Sequence, residues 1–216
     1  MRQLVLIIAV FLPQTIKKLI YRRFMGWEIG KNVKIGFSYL GCQSVTLKDG
    51  VSIGHFNIVR RLRNFYVGQD SSIKNFNQFF FSGNLAESPE WAGVLNIGRK
   101  VNFMSHHFID LGGSVFIGDQ TTVAGRDTHF WSHGFVPSGE GRQHIRTKIS
   151  IGENVYIGAR ATLLGCAIPS RAIVGAGSIV TKSFAAEESR LLIAGNPAAI
   201  KKRYEVAQLD PSVARE

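Results

Sequence analysis

The chain is expected to be all-β, wound as a parallel β-solenoid, and three observations point there. An Ile or Val is followed directly by Gly nine times in 216 residues. Aliphatic positions recur at intervals of six: Ile29, Ile35, Leu47, Ile53 and Val59 share one lattice, with Gly41 at the vacant step. The interval returns at Val67, Ile73 and Phe79, at Ile97, Phe103 and Ile109, at Ile117 and Val123, at Ile151, Ile157 and Leu163, and at Ile168, Val174 and Val180. An amphipathic helix would space its apolar residues at three and four, and the strands of an antiparallel sandwich would alternate at two. Six fits a short strand plus a tight turn, with one aliphatic side chain per unit pointing inward and glycine where the backbone bends. Such units bury too little alone to offset chain entropy, so they are stable only as a capped stack.

Taken in order, residues 1–26 form a basic amphipathic N-terminal segment. Residues 1–34 hold seven basic side chains (Arg2, Lys17, Lys18, Arg22, Arg23, Lys31, Lys34) against Glu28, within a chain of net charge +11. The apolar run from Leu4 to Leu12 stops at Pro13, about half of the ~20 residues that span a bilayer. It also lacks the small-residue cleavage site of a signal peptide. Ile16, Leu19, Ile20 and Phe24 share one helical face, with the basic residues mostly opposite. That pattern suits a helix lying on an anionic membrane surface, and equally one that lays its apolar face on the first coil of the solenoid. No nucleic-acid motif accompanies the charge.

Residues 27–184 form the solenoid, interrupted at about 80–96 and 124–148. The first interruption (FSGNLAESPEWAGVLN) is punctuated by Gly, Pro and Ser. The second holds His129, His133 and His144 among aromatic and basic residues, the parts needed for acid–base work on a polar substrate. Residues 185–216 supply a last turn and a C-terminal helix or tail. With 45% apolar residues the chain can close one core without disulfides or a structural metal. Cys42 and Cys166 have no metal-ligand spacing and read as reduced thiols of a cytoplasmic protein.

The stretches SVFIGDQTTVAG at 114–125, WSHGF ending the loop, ISIGENVYIGARATLLGC at 149–166, IVGAGSIVTKSF at 173–184 and AGNPAAIKKR at 194–203 occur in an order and spacing that resemble the hexapeptide-repeat acyltransferases of the left-handed β-helix superfamily. The likeness covers about residues 27–203. Within that superfamily it is greatest to bacterial sugar and polysaccharide O-acetyltransferases of the maltose, galactoside and colanic acid type. The resemblance implies a left-handed parallel β-helix assembled as a homotrimer, with acetyl-CoA as co-substrate in a groove between solenoids and no metal. It also implies a saccharide or lipid-linked glycan acceptor and a cytoplasmic location, to which the N-terminal pattern adds peripheral contact with the inner face of the membrane as one alternative.

In that family a His of the extended loop is the general base, and the matching residue is His133. Its second ring nitrogen needs a carboxylate or carbonyl partner, for which Asp127 and Asp110 are the candidates. Asp110 matches the strand that lines the acceptor site, with His106 and His107 beside it and Trp131 also directed to the acceptor. For CoA the matching positions are Gly158, Ala159, Ala176 and Thr181, then Pro197 in the closing turn. Lys201, Lys202 and Arg203 would face the phosphates. Ala199 stands where many relatives carry Lys or Arg, which implies either a weaker phosphate grip or one supplied by Lys182.

Two other activities share the scaffold. N-acetylation of a nucleotide-linked amino sugar uses the same base, but such relatives often carry an added N-terminal βαβ domain, for which residues 1–26 are too short. The zinc hydratases of this fold read Gly-His-x-x-x-x-His-Gly-Cys where this chain has Gly158-Ala159 through Leu164-Gly165-Cys166, so two ligand histidines are missing. A non-enzymatic scaffold would be expected to lose the loop His and the CoA turn, and both are present.

Overall fold

A computed structural model describes residues 2–139, 141–185 and 190–204. The chain winds into a left-handed prism with three faces, each face a ladder of short parallel strands. On the first face the inward column is Ile29, Leu47, Val67, Ile97, Ile117, Ile151 and Ile168. On the second it is Ile35, Ile53, Ile73, Phe103, Val123, Ile157, Val174 and Ile193. The third carries Leu40, Val59, Phe79, Ile109, Phe130, Leu163 and Val180. These columns are the aliphatic lattice of the sequence, and all their members are buried. Like side chains stacked in register fill a narrow interior without voids. At the vacant step the inward residue is Leu40 rather than Gly41, because the chain turns from Ile35 to Leu40 in five residues where the next coil takes six, from Ile53 to Val59.

One corner is turned by a buried polar column. Asn57 Nδ2 donates to Lys74 O at 2.7 Å, Asn77 N donates to Asn57 Oδ1 at 2.9 Å, and His107 N donates to Asn77 Oδ1 at 3.0 Å. Thr128 N then donates to His107 Nδ1 at 3.1 Å. Side-chain acceptors here satisfy backbone donors that leave the ladder at each turn.

The two interruptions differ in kind. The first leaves the coil after Phe81 and rejoins it at Val94–Ile97, with a single turn of 3-10 helix at Leu85–Glu87. The second is shorter than the sequence suggests: Ala124 to Trp131 stays in the coil, since His129–Trp131 pairs in register with Phe108–Asp110. Only residues 132–147 leave, as an arm whose strands His133–Ser138 and Gly141–Arg146 pair antiparallel. At the far end the expected last turn is an antiparallel hairpin, Leu191–Gly195 with Ala198–Arg203, that continues the second face. The rest of the expected tail, 205–216, lies outside the described residues.

The open end of the first coil is closed by helices α1 (Arg2–Phe11) and α2 (Gln14–Arg23). An edge coil presents carbonyls with no strand beyond them, and the helices answer with long polar side chains. Arg2 donates to Cys42 O and Gln43 O, both at 2.8 Å, and Arg22 to Ile29 O at 2.5 Å. Gln14 both donates to Ile35 O and accepts from Ile35 N. Lys17, 1% exposed, donates to Val10 O at 3.0 Å, Ile35 O at 3.2 Å and Gly36 O at 2.8 Å, and burial holds its pKa below the usual lysine value. The core-facing side of α2 is Lys17 and Tyr21, with the Tyr21 ring 4.8 Å from Trp27, while Ile16, Leu19 and Phe24 are exposed, so the alternative in which that apolar face lies on the first coil does not hold.

Because all three ammonium donors of Lys17 are used, Lys17→Met is expected to strip buried carbonyls of their partners and lower stability by ~2 kcal/mol or more. A thermal or denaturant melt within ~0.5 kcal/mol of wild type would show that water replaces the ammonium freely.

Candidate functional site

The site grows from a strand end. Along Phe108–Asp110 side chains alternate, so Ile109 enters the core while Phe108 and Asp110 face outward. Asp110 is nonetheless 3% exposed, because the base of the arm folds over it. Ser132, the first residue to leave the coil, donates its hydroxyl to Asp110 O at 2.7 Å and accepts from Gly113 N at 2.9 Å. Thr147 N donates to Ser132 O at 2.8 Å, closing the arm at its root. His133 follows, and its Nδ1 lies 2.5 Å from Asp110 Oδ1, which also accepts from Gly112 N at 3.1 Å.

That geometry assigns the tautomer. An ionised carboxylate only accepts, so Nδ1 carries the proton and Nε2 keeps its lone pair. The His133 side chain is 18% exposed, enough to be reached and too little to be freely hydrated. Such a pair presents Nε2 as a free hydrogen-bond acceptor in a fixed orientation, the geometry a general base requires.

Gly112 and Gly113 permit the close approach. A Cβ on Gly112 would lie 2.6 Å from His133 Cβ, and one on Gly113 would lie 1.8 Å from Thr147 O. Gly112→Ala is therefore expected to push the imidazole off Asp110 and reduce turnover at least tenfold, by removing a charge-assisted bond of ~1.5–3 kcal/mol, while the fold survives. Unchanged steady-state rates in that variant would mean the imidazole need not sit where it is seen.

The two loops brace one another at this point. Arg146, opposite His133 in the arm, donates Nη1 to Gly112 O at 2.5 Å and Nη2 to Ser88 Oγ at 3.1 Å, with its guanidinium 5.6 Å from the centre of the Phe81 ring. Lys148 lies 5.5 Å from the Trp91 ring. On the arm itself, His144 stacks on Phe135 at 4.9 Å and stands edge-on to His133 at 5.2 Å. Its pKa is lowered by partial burial, then by Arg146 and His133.

Of the two carboxylates expected to orient His133, Asp110 is the one in contact. Asp127 is at the opposite edge of the third face, where its carboxylate meets Arg126 at 3.3 Å and Arg160 at 3.9 Å. His107, expected near an acceptor, is 1% exposed within the polar corner column, and burial lowers its pKa to about 4, so it is a neutral core residue. His106 is at the surface of that corner, its ring stacked on Phe76 at 4.8 Å, with Phe76 stacked on Phe56 at 5.2 Å. Trp131 faces outward 5.1 Å from Phe108 and shares a cleft of about 440 Å³ with Phe76, Gln78, His106, Phe108, Asp127 and His129, at whose floor the buried His107 lies.

The positions matched to CoA gather on that same edge, higher in the stack. Gly177 N donates to Ala159 O at 2.9 Å, and a Cβ on Gly158 would lie 2.5 Å from Ala176 N, so Ala176 sits directly above the Gly158-Ala159 step of the coil below. The next step up is Ala194, and Lys201 Nζ would lie 3.8 Å from a Cβ on Gly195. Pro197 follows a cis peptide bond in the hairpin turn. Lys202 is exposed, 5.0 Å from the Tyr204 ring, while Thr181 and Lys182 continue the third face, with Lys182 5.7 Å from Phe184. Within one chain, His133 and this column occupy opposite edges of a face.

Arg146, Ser132, Ser88 and the Gly112-Gly113 pair had not been singled out. The one sequence signal for them is the Asp-x-Gly-Gly run at 110–113 lying one coil before Ser132-His133. The corner role of His107 was more accessible, since Asn57, Asn77, His107 and Thr128 recur at coil spacing.

The chain carries the hexapeptide repeat: the family described as hexapeptide repeat of succinyl-transferase matches residues 148–182. Among solved structures it is similar to the polySia specific acetyltransferase NeuO, at 23% identity and a TM-score of 0.61, covering 82% of this chain and 75% of the other. A variant of AntD, an N-acyltransferase from Bacillus cereus in complex with dTDP and Coenzyme A, is similar at 18% identity and a TM-score of 0.55, covering 90% and 91% of the two chains. These likenesses establish the left-handed β-helix fold.

Proposed function

We propose that this hexapeptide-repeat chain is an acetyl-CoA-dependent O-acetyltransferase of glycans, with His133 as general base and Asp110 as its orienting partner. The observation that carries the proposal is the 2.5 Å contact between His133 Nδ1 and Asp110 Oδ1 at the root of the arm. Nε2 takes the proton of an acceptor hydroxyl as that oxygen attacks the thioester carbonyl. The tetrahedral oxyanion is held by backbone N–H groups. Its collapse expels the CoA thiolate, which takes the proton from the imidazolium. The acetyl ester, free CoA thiol and neutral histidine are the products, and no covalent enzyme intermediate arises.

The separation of His133 from the Ala159–Ala176 column supports assembly as a homotrimer, in which the column of one solenoid faces the arm of the next. Apolar side chains that the third face and its edge leave exposed, Ile58, Leu164, Phe56 and Phe76 among them, support burial against a neighbour. The acceptor's chemistry is read from a second cleft of about 510 Å³, lined by Arg2, Arg60 and Arg61 and by no carboxylate. Arg60 pairs in register with Phe80, and Phe80 with Asp110, so this cleft begins two strands, or about 10 Å, from the base. That spacing fits a carboxylate- or phosphate-bearing glycan, free or lipid-linked at the cytoplasmic membrane face, with an uncharged hydroxyl at His133.

Thiol release from acetyl-CoA, assayed against acidic and neutral glycans and against amino sugars, tests the proposal. Acidic glycans should respond most. A response confined to free amines would favour N-acetylation, and no acetyl-CoA turnover with any acceptor would sink the enzymatic reading.

A further inference from the structure

Helix α1 is apolar on both sides. Leu6 and Ala9 face the first coil and are buried, whereas Leu4, Ile7, Ile8 and Phe11 lie at the i, i+3, i+4, i+7 positions of the opposite side, with exposures of 61, 51, 51 and 73%. In α2 the same division recurs, with Lys17 and Tyr21 inward and Ile16 and Leu19 exposed. Since the inward sides cap the carbonyls of the edge coil, the outward stripe faces away from it.

The charge around this stripe is predominantly positive. Arg2, Lys17 and Arg22 are engaged with backbone carbonyls, while the side chains of Lys18, Arg23, Lys31 and Lys34 have no carboxylate partner among the described residues. Of the acidic residues at this end, Glu28 is paired with Lys48 at 2.5 Å and Asp49 accepts from the Lys31 backbone N–H at 2.7 Å. Between α2 and the first coil runs a groove of about 550 Å³ whose walls include Ile16 and Leu19 and whose rim includes Lys18, Arg22 and Lys31, with no acidic residue. No helix among the described residues is long and apolar enough to cross a membrane.

We infer that the α1–α2 cap docks this chain on an anionic lipid bilayer, the Leu4–Phe11 stripe entering the acyl boundary and the lysines and arginines meeting lipid phosphates. An apolar stripe flanked by uncompensated cations is the composition that partitions into an anionic interface. A protein partner of matching apolar shape would not call for the one-signed rim. Docking does not depend on the chemistry at His133, and the two are separable by experiment.

The test is co-sedimentation of the full chain with vesicles of phosphatidylcholine alone and with ~30% phosphatidylglycerol, at low and high salt. Binding is expected to the anionic vesicles, weakening with salt. It should fall tenfold or more in the triple variant Leu4→Gln, Ile8→Gln, Phe11→Gln, whose changed side chains already face solvent, so its thermal melt should match wild type. Lys18→Gln with Lys31→Gln should shift the salt dependence and leave the melt intact. His133→Ala should bind vesicles as wild type does. Equal binding to neutral and anionic vesicles, or wild-type binding by the triple variant, overturns the inference. So does a lipid-free self-association that the triple variant abolishes, since a second copy would then be the occupant.

Discussion

His133→Ala is expected to lower acetyl transfer to the responsive acceptor by roughly 10²–10⁴-fold, the usual contribution of a positioned general base. The loss should appear in kcat, with the KM for acetyl-CoA within a few-fold of wild type, because the imidazole is proposed to act on the acceptor hydroxyl in the transition state rather than to hold the CoA. Stability should change little, since His133 is at the root of an exposed arm and its removal leaves Asp110 with the Gly112 N–H. Steady-state thiol release measures the effect. Turnover within tenfold of wild type would mean that another group takes the acceptor proton, and His144, whose ring is 5.2 Å away, would be the first to examine.

Asp110→Asn should come close to that effect, on the order of 10²–10⁴-fold in kcat. The amide is nearly isosteric, and it can still accept from Gly112 N. What it loses is the negative charge that stabilises the imidazolium, together with the strict acceptor character that keeps the proton on Nδ1. An amide turned with its NH2 toward the ring would reverse the tautomer and point a proton at the acceptor. A structural role alone would predict a lower melting point with kcat preserved. The position-specific control is Asp127→Asn, which removes a partly exposed ion pair and is expected to alter kcat by less than about threefold. If Asp127→Asn were the more damaging change, the assignment of the orienting carboxylate would be wrong.

The legible part of the fold was its interior. The interval of six named nearly every inward residue, since a coil with three flat faces repeats the same requirement at each face. Where it slipped, at Gly41 instead of Leu40, the cause was a turn one residue shorter than its neighbour, five from Ile35 to Leu40 against six from Ile53 to Val59. The end of the solenoid was less legible. Ile16 and Leu19 were assigned to a face by periodicity, but the inward face of α2 is set by the unpaired carbonyls of the edge coil, which select a lysine.

The site divides the same way. That chemistry belongs where the repeat breaks, and that His133 is in that break, could be read from residue types and order, because a rigid repeat leaves only its loops free to vary. The choice of Asp110 over Asp127 could not. The two are 23 and 6 residues from His133 in the chain, and the nearer one is wrong, because contact is governed by register between coils. Likewise His106 and His107 are adjacent in sequence, yet the turn sends one to the surface and the other into a buried column. Local periodicity decides which way a side chain points. The neighbours it meets there come from adjacent coils, whose offsets depend on loop lengths and corner geometry that emerge only when the chain is folded.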